Sequence, residues 1–288
     1  MDPKRGSKTA EAAAAVRAGH FLHAEPKIFE DPHAIQFTSS SWRRVIRSRL
    51  LCSTVLIPFF EWRMPGVIGE ILGRSRYAED RLEAAVKDGA TQYVLLGAGL
   101  DSFAVRRIDL LPSLAVFELD HQLTQASKRE TLARLGLEVP SNVTFVPFDF
   151  ERESIPEALS RSRFSRQERS FLSWLGTTYY LTKEAVLGTL GGFASFAARG
   201  SEIVFDYTDP TIFSSKGARH LLGFTARRSE PMLSGLDPHA LAHEIRDLGL
   251  LLVENLSPEE QRARYFANRQ DGLDTAEGAY FACARVVR

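Results

Sequence analysis

The spacing of apolar and polar positions changes character once along the chain. Up to about Gly89 it is helical. The alanine-rich stretch Thr9 to Leu22 predicts a helix, with Thr9 placed to cap it and Glu11 in its first turn. Pro26, Asp31-Pro32 and Ser39-Ser40-Ser41 then cut the chain into short pieces. Trp42 to Phe60 predicts a second helical zone in which Arg43, Arg44, Arg47 and Arg49 form a solvated face. A third helix is expected from Arg74 to Lys87, with Tyr77, Leu82, Ala85 and Val86 inward and Asp88-Gly89 ending it.

From Ala90 onward, short continuous apolar runs replace that pattern. Tyr93–Leu96, Ala115–Asp120, Val143–Pro147, Arg169–Trp174, Glu202–Asp206, Leu250–Glu254 and Ala279–Val287 read as strands buried on both faces. Helical segments lie between them: Leu100–Ile108, Gln122–Leu135, Ile155–Leu159, Lys183–Ala197 and Pro238–Leu248. Strands alternating with helices predict an α/β, doubly wound and mostly parallel sheet. The expected division is a helical leader, residues 1–89, and an α/β body, residues 90–288, in one folding unit.

Composition narrows the function classes. The 36 basic and 36 acidic side chains balance, which argues against a nucleic-acid binder or an anionic membrane surface as the main partner. Cys52 and Cys283 show neither a pairing nor a metal-ligand spacing, so a reducing compartment and no metal are expected. The start of the chain lacks the apolar core of a signal peptide, and Leu50 to Phe60 is too short to span a bilayer. A soluble, cytoplasmic protein is expected.

The chemistry is concentrated in Tyr93 to Phe103. A buried strand runs into Gly97-Ala98-Gly99, followed by Asp101 and Ser102 and then a helix. Glycines there let the backbone turn sharply and let a ligand lie close, at the strand end where doubly wound sheets bind ligands. Glu118 and Asp120 end the next strand, where an acid can hold a ribose hydroxyl. A dinucleotide site would carry a third glycine where Ser102 stands, and the Asp101 carboxylate would repel a pyrophosphate. The same acid suits a cationic nucleoside cofactor, and S-adenosylmethionine is favoured over a nicotinamide dinucleotide. Asp149, at the end of the third strand, reads equally as an adenine contact beside the Phe150 amide or as a cap for the next helix.

Several further residues remain candidates. Tyr179, Tyr180 and Tyr207 follow strand ends and could wall a substrate pocket, whereas Trp174 reads as core. His33, His121, His220, His239 and His243 stand in no motif that marks a base, so no catalytic residue is assigned.

Arg74-Ser-Arg-Tyr-Ala-Glu-Asp, Gln92 to Ser102, Phe117-Glu-Leu-Asp with Lys128, the start at Thr9 and Asp31-Pro-His-Ala, and the tail Arg264 to Leu273 together resemble the leucine carboxyl methyltransferase-like family. The likeness is strongest to its bacterial S-adenosylmethionine-dependent O-methyltransferases. It implies a class I methyltransferase (Rossmann-like) sheet of seven strands, one antiparallel, with the leader as an N-terminal helical lid. It implies that Arg74 pairs with the cofactor carboxylate, that Gly97 and Gly99 pass beneath the methionine portion, with Ala98 between them also cofactor-binding, that Asp120 binds the ribose, and that Asp149 and Phe150 flank the adenine. The acceptor would be a small molecule, and a homodimer is a further possibility for the leader. One departure stands out: many members carry Glu-Gly where this chain has Leu175-Gly176, which leaves Gly176 and Thr177 as backbone or hydroxyl contacts.

Overall fold

The computed structural model describes residues 8–150, 152–214 and 232–288. Seven strands form a single sheet in the order β3-β2-β1-β4-β5-β7-β6. They are β1 (Gln92–Leu96), β2 (Ala115–Asp120), β3 (Val143–Pro147), β4 (Ser170–Trp174), β5 (Glu202–Thr208), β6 (Leu250–Leu256) and β7 (Ala279–Val286). β1 to β5 run parallel, and β7 lies antiparallel to both β5 and β6. Leu96 pairs with Leu119 and with Trp174, and Trp174 with Phe205, so the carboxyl ends of β2, β1, β4 and β5 lie abreast. The residues that follow these ends are therefore neighbours despite their separation in sequence.

The described helices are α1 (Lys8–His23), α2 (Ser40–Arg47), α3 (Arg49–Leu51), α4 (Ile57–Arg63), α5 (Val67–Lys87), α6 (Phe103–Arg106), α7 (Gln122–Arg134), α8 (Ile155–Ser160), α9 (Lys183–Phe196), α10 (Leu241–Asp247) and α11 (Pro258–Gln261). Alternate strand positions feed two cores, as burial on both faces requires. Val94, Leu96, Phe117, Trp174 and Phe205 pack with Ala158, Leu190 and Ile245 of α8, α9 and α10 on one face. Tyr93, Leu95, Val116, Phe171 and Val204 pack with Tyr77 and Leu82 of α5 and with Phe103 of α6 on the other.

Two helical expectations are corrected. The zone from Trp42 to Phe60 is broken rather than continuous: Ser48 leaves the helix and caps α3, and Cys52–Leu56 winds as a π-helix. The third helix begins at Val67, seven residues before Arg74, behind Gly66 in a left-handed conformation at φ 77°. Its glycines are packing sites, not breaks. A Cβ on Gly69 would fall 2.0 Å from the Asp274 carbonyl oxygen, and one on Gly73 3.2 Å from the Phe281 ring. The extra turns bring Glu70 into the helix, four residues ahead of Arg74.

The leader is tied to the sheet by polar contacts as well as by its own core. Asp31, almost wholly buried, accepts from Arg17 Nε at 2.9 Å and from Ser102 Oγ at 2.6 Å, and Arg17 also donates to the Leu100 carbonyl at 2.8 Å. A Cβ on Gly99 would come to 3.4 Å from that of Ala10, so α1 lies across the glycine turn. No described helix is long and apolar enough to cross a membrane.

One leader contact carries a pH signature. The buried His20 accepts the Ile28 N–H through Nε2 at 2.8 Å, and burial, aided by Arg269, lowers its pKa from 6.5 to about 4. The unfolded chain therefore binds this proton first, and stability falls as pH drops from 6.5 towards 4. Between pH 7 and pH 4.5, His20→Gln is expected to lose about 2–3 kcal/mol less stability than the wild type in urea unfolding, since each pKa unit is worth about 1.4 kcal/mol. Equal losses would contradict this role for His20.

Candidate active site

At the end of β1 the chain turns through Gly97 (φ 70°) and Gly99 (φ 51°), conformations that favour glycine. The amides of Gly97, Ala98 and Gly99 are engaged by β2. Gly97 and Ala98 both donate to the Leu119 carbonyl, at 2.8 and 3.1 Å, and Gly99 donates to Asp120 Oδ2 at 2.5 Å. Asp120 Oδ1 takes the His121 N–H at 2.6 Å. Burial pushes the Asp120 carboxyl up, and these two N–H bonds oppose the shift. Asp101 turns one oxygen to the Phe103 amide at 2.7 Å, which starts α6.

At the adjoining strand ends sits a buried charge cluster. Arg74 Nη1 donates to Glu70 at 3.2 Å, to the Tyr179 hydroxyl at 3.0 Å and to Asp206 Oδ2 at 2.9 Å. The other oxygen of Asp206 accepts the Gly176 N–H at 2.7 Å, and its carbonyl accepts from Thr178 Oγ1 at 2.5 Å. One guanidinium thus joins α5, β5 and the turn after β4. Gly176 stands at φ 71°, and a Cβ there would come within 2.6 Å of Arg74 Nη2. Burial pushes Glu70 up to about 7, with Arg74 pulling against it and Asp206 adding to it. Burial also holds the Tyr179 hydroxyl well above its usual range despite Arg74, so it stays neutral.

The sequence candidates divide accordingly. Gly97, Ala98, Gly99, Asp101 and Asp120 meet at the glycine turn, while Arg74, Gly176 and Tyr179 meet beside it. Tyr180 stands edge-on to Tyr179, with ring centroids 4.7 Å apart. Phe150 stacks on Trp174 at 6.2 Å, and Trp174 is wholly buried, as its core reading requires. Ser154 and Glu157 form the capping box of α8, which removes Asp149 from that role.

Two candidates are corrected. Glu118 shares the face of Asp120 but lies deeper along β2: it is 0% exposed and accepts from Lys128 Nζ of α7 at 2.5 Å, which leaves it no surface to offer a ligand. Tyr207 does not wall a pocket: it is 2% exposed, donates to Asn255 Oδ1 at 2.9 Å and stacks on Tyr280. Among the histidines, His121 caps α7 through Nδ1, His239 and His243 are exposed, and His220 lies outside the described residues. Glu70 and Asp206 were missed. The available signals were an acid one helical turn before Arg74 and a lone acid ending the apolar strand β5.

The surface also carries a cleft of about 660 Å³ lined by Leu111, Pro112, Ala115 and Asn142. It lies at the amino ends of β2 and β3, opposite the edge where sheets of this kind bind ligands.

The backbone of Gly176 generates a direct test. Gly176→Ala is expected to destabilise the protein by about 1–3 kcal/mol through the strained φ and the clash with Arg74. Gly188→Ala, in the interior of α9 with open space around it, is expected to stabilise by about 0.5–1 kcal/mol. Thermal unfolding of the two variants decides it, and similar shifts would contradict the placement of Arg74.

Comparison with known proteins places this geometry. Residues 10–194 match the model of the leucine carboxyl methyltransferase family. YktD of Bacillus subtilis, named as an S-adenosyl-L-methionine-dependent methyltransferase, is 37% identical over 73% of this chain and 70% of its own. A protein of Mycolicibacterium paratuberculosis with the same designation is 28% identical over 83% of this chain and 75% of its own. Among solved structures, a DUF574-family protein of Streptomyces avermitilis superimposes with a TM-score of 0.66 over 98% of both chains at 15% identity. One from Thermobifida fusca, titled a methyltransferase, reaches 0.62 over 100% of this chain and 97% of its own at 13% identity. The sheet order and these superpositions make the fold that of a class I methyltransferase. With the family model and YktD each aligned over most of its length, the chain belongs to the leucine carboxyl methyltransferase family.

Proposed function

We propose that the protein transfers the methyl group of S-adenosylmethionine to an oxygen, carboxylate or hydroxyl, of a small-molecule acceptor. S-adenosylmethionine is the cofactor that the family and the named relatives support. The observation that carries the reading on this chain is the engagement of the turn amides. Gly97, Ala98 and Gly99 give their N–H groups to β2, so none of these three amides is free to cradle a pyrophosphate. What it presents instead is carboxylate, from Asp101 and Asp120, which suits a cation. The same feature disfavours a nicotinamide dinucleotide, and a fluorescence titration with NADH is expected to show no binding.

The residues present fit the cofactor. Asp120 would hold the ribose hydroxyls, because a carboxylate that accepts two N–H bonds retains lone pairs for more. Arg74 would hold the carboxylate of the methionine portion, with Gly97 and Gly99 beneath it. Phe150 would flank the adenine. When bound, the sulfonium supplies an already activated methyl, which an acceptor oxygen takes by in-line displacement as the C–S bond breaks. The chain's contribution is alignment and exclusion of water, with α1 across the glycine turn serving as cover. A carboxylate acceptor needs no base, whereas a hydroxyl must lose its proton, and no side chain is assigned that task.

Calorimetry with S-adenosylmethionine tests the site. The wild type is expected to bind, Asp120→Ala about 10–100-fold more weakly, and Gly99→Val not measurably, since hydrogen bonds to charged groups contribute about 1.5–3 kcal/mol. No binding by the wild type, or equal binding by all three, would sink the assignment. Transfer of labelled methyl to a panel of carboxylic acids and phenols tests the acceptor class.

A further inference from the structure

Arg74 carries one positive charge, and the chain's own residues already set two carboxylates against it. Glu70 lies at 3.2 Å on the same helix and Asp206 at 2.9 Å from β5, and both bond the same nitrogen, Nη1. Tyr179 takes a third bond there at 3.0 Å. A cofactor carboxylate at Arg74 would be a third anion on a single guanidinium, in a place where Arg74 and Asp206 are almost wholly buried. One of the three must be neutral. Asp206 is the better supported of the chain's two acids, with N–H donors on both oxygens, from Arg74 and from Gly176. Glu70 is the less supported, with one longer bond to Arg74.

We propose that Glu70 is a proton-carrying positioning residue of the cofactor site, neutral whenever Arg74 holds the cofactor carboxylate. This rests on the methyltransferase reading above. A neutral Glu70 still accepts from Arg74 through its carbonyl oxygen, and the charge count at the guanidinium falls from three anions to two. The charged groups acting on Glu70 among the described residues are Arg74 from its own helix and Asp206 from β5, with the neutral Tyr179 beside them. Burial places Glu70 near 7, so the proton is present below neutrality and must be taken up above it. The sign follows: affinity is flat below pH 7 and falls up to tenfold per unit above it.

Calorimetry with S-adenosylhomocysteine at pH 6 and pH 8, in buffers of different ionisation heat, tests this on the full chain. The wild type is expected to bind about tenfold more weakly at pH 8 and to take up close to one proton there. Glu70→Gln is expected to bind alike at both values, apart from any contribution of the ligand's own amine. A deaminated analogue, which keeps the carboxylate and removes that amine, gives the same test on the wild type alone should Glu70→Gln not fold. Equal pH dependence in wild type and Glu70→Gln, or none with the deaminated analogue, overturns the role of Glu70. No binding of either ligand at pH 6 overturns the cofactor reading itself, and this proposal with it.

Discussion

A single buried guanidinium organises the edge of the sheet where the site lies. Arg74 leaves α5, reaches Asp206 at the end of β5, and lies against the backbone of Gly176 after β4. Breaking such a pair from one side strands a charge away from water, at a cost of about 3–5 kcal/mol. Much of the local structure follows from satisfying it. Gly176 has no room for a side chain, its N–H is held by Asp206, and Thr178 closes the turn onto the Asp206 carbonyl. The length of α5 follows as well, since its first turns bring Glu70 to the same nitrogen.

The glycine turn next to this cluster solves a related problem. A sharp turn exposes N–H groups that must find partners, and here the end of β2 supplies them through Leu119 and Asp120. Ser102 completes the arrangement. Read in sequence it marks a missing glycine, but in the structure its hydroxyl bonds Asp31, which also holds Arg17 of α1. The residue that departs from the dinucleotide pattern is thus the one that fastens the leader across the turn.

The strands were legible because a parallel strand buried on both faces is written as an unbroken apolar run, and β2 and β3 fall where those runs do. The leader was less legible. Gly69 and Gly73 weaken a helix on propensity alone, and the approach of Asp274 and Phe281 shows why a helix keeps them. The site divides the same way. Gly97, Gly99 and Asp120 announce themselves through local spacing. Glu118 and Tyr207 sit at equally suggestive positions, yet Lys128 covers the first and alternation with Asp206 turns the second into the core. Asp206 could not be paired with Arg74 from sequence, since 132 residues separate them and only the strand order makes them neighbours.

Leu175, standing where many members of the family carry an acid, raises the alternative of a non-catalytic protein that keeps the fold without the chemistry. The charge cluster argues against that. A scaffold gains nothing from burying two carboxylates around one guanidinium, because apolar residues of similar volume are often as stable or more so in such places. Glu70 sharpens the point: with its carboxyl raised from 4.5 to about 7, the folded chain holds a proton that the unfolded chain releases, and the fold loses stability across that interval as pH rises. That is a standing cost at neutral pH, and no other described contact requires it. Leu175 packs against the sheet core formed by Tyr93 and Phe171, while Asp206 bonds the amide of the very next residue, Gly176. A carboxylate is therefore still present at this strand end, delivered from β5 by Asp206. A carboxylate held at this strand end against a buried guanidinium fits a site under a binding constraint better than a relic of one.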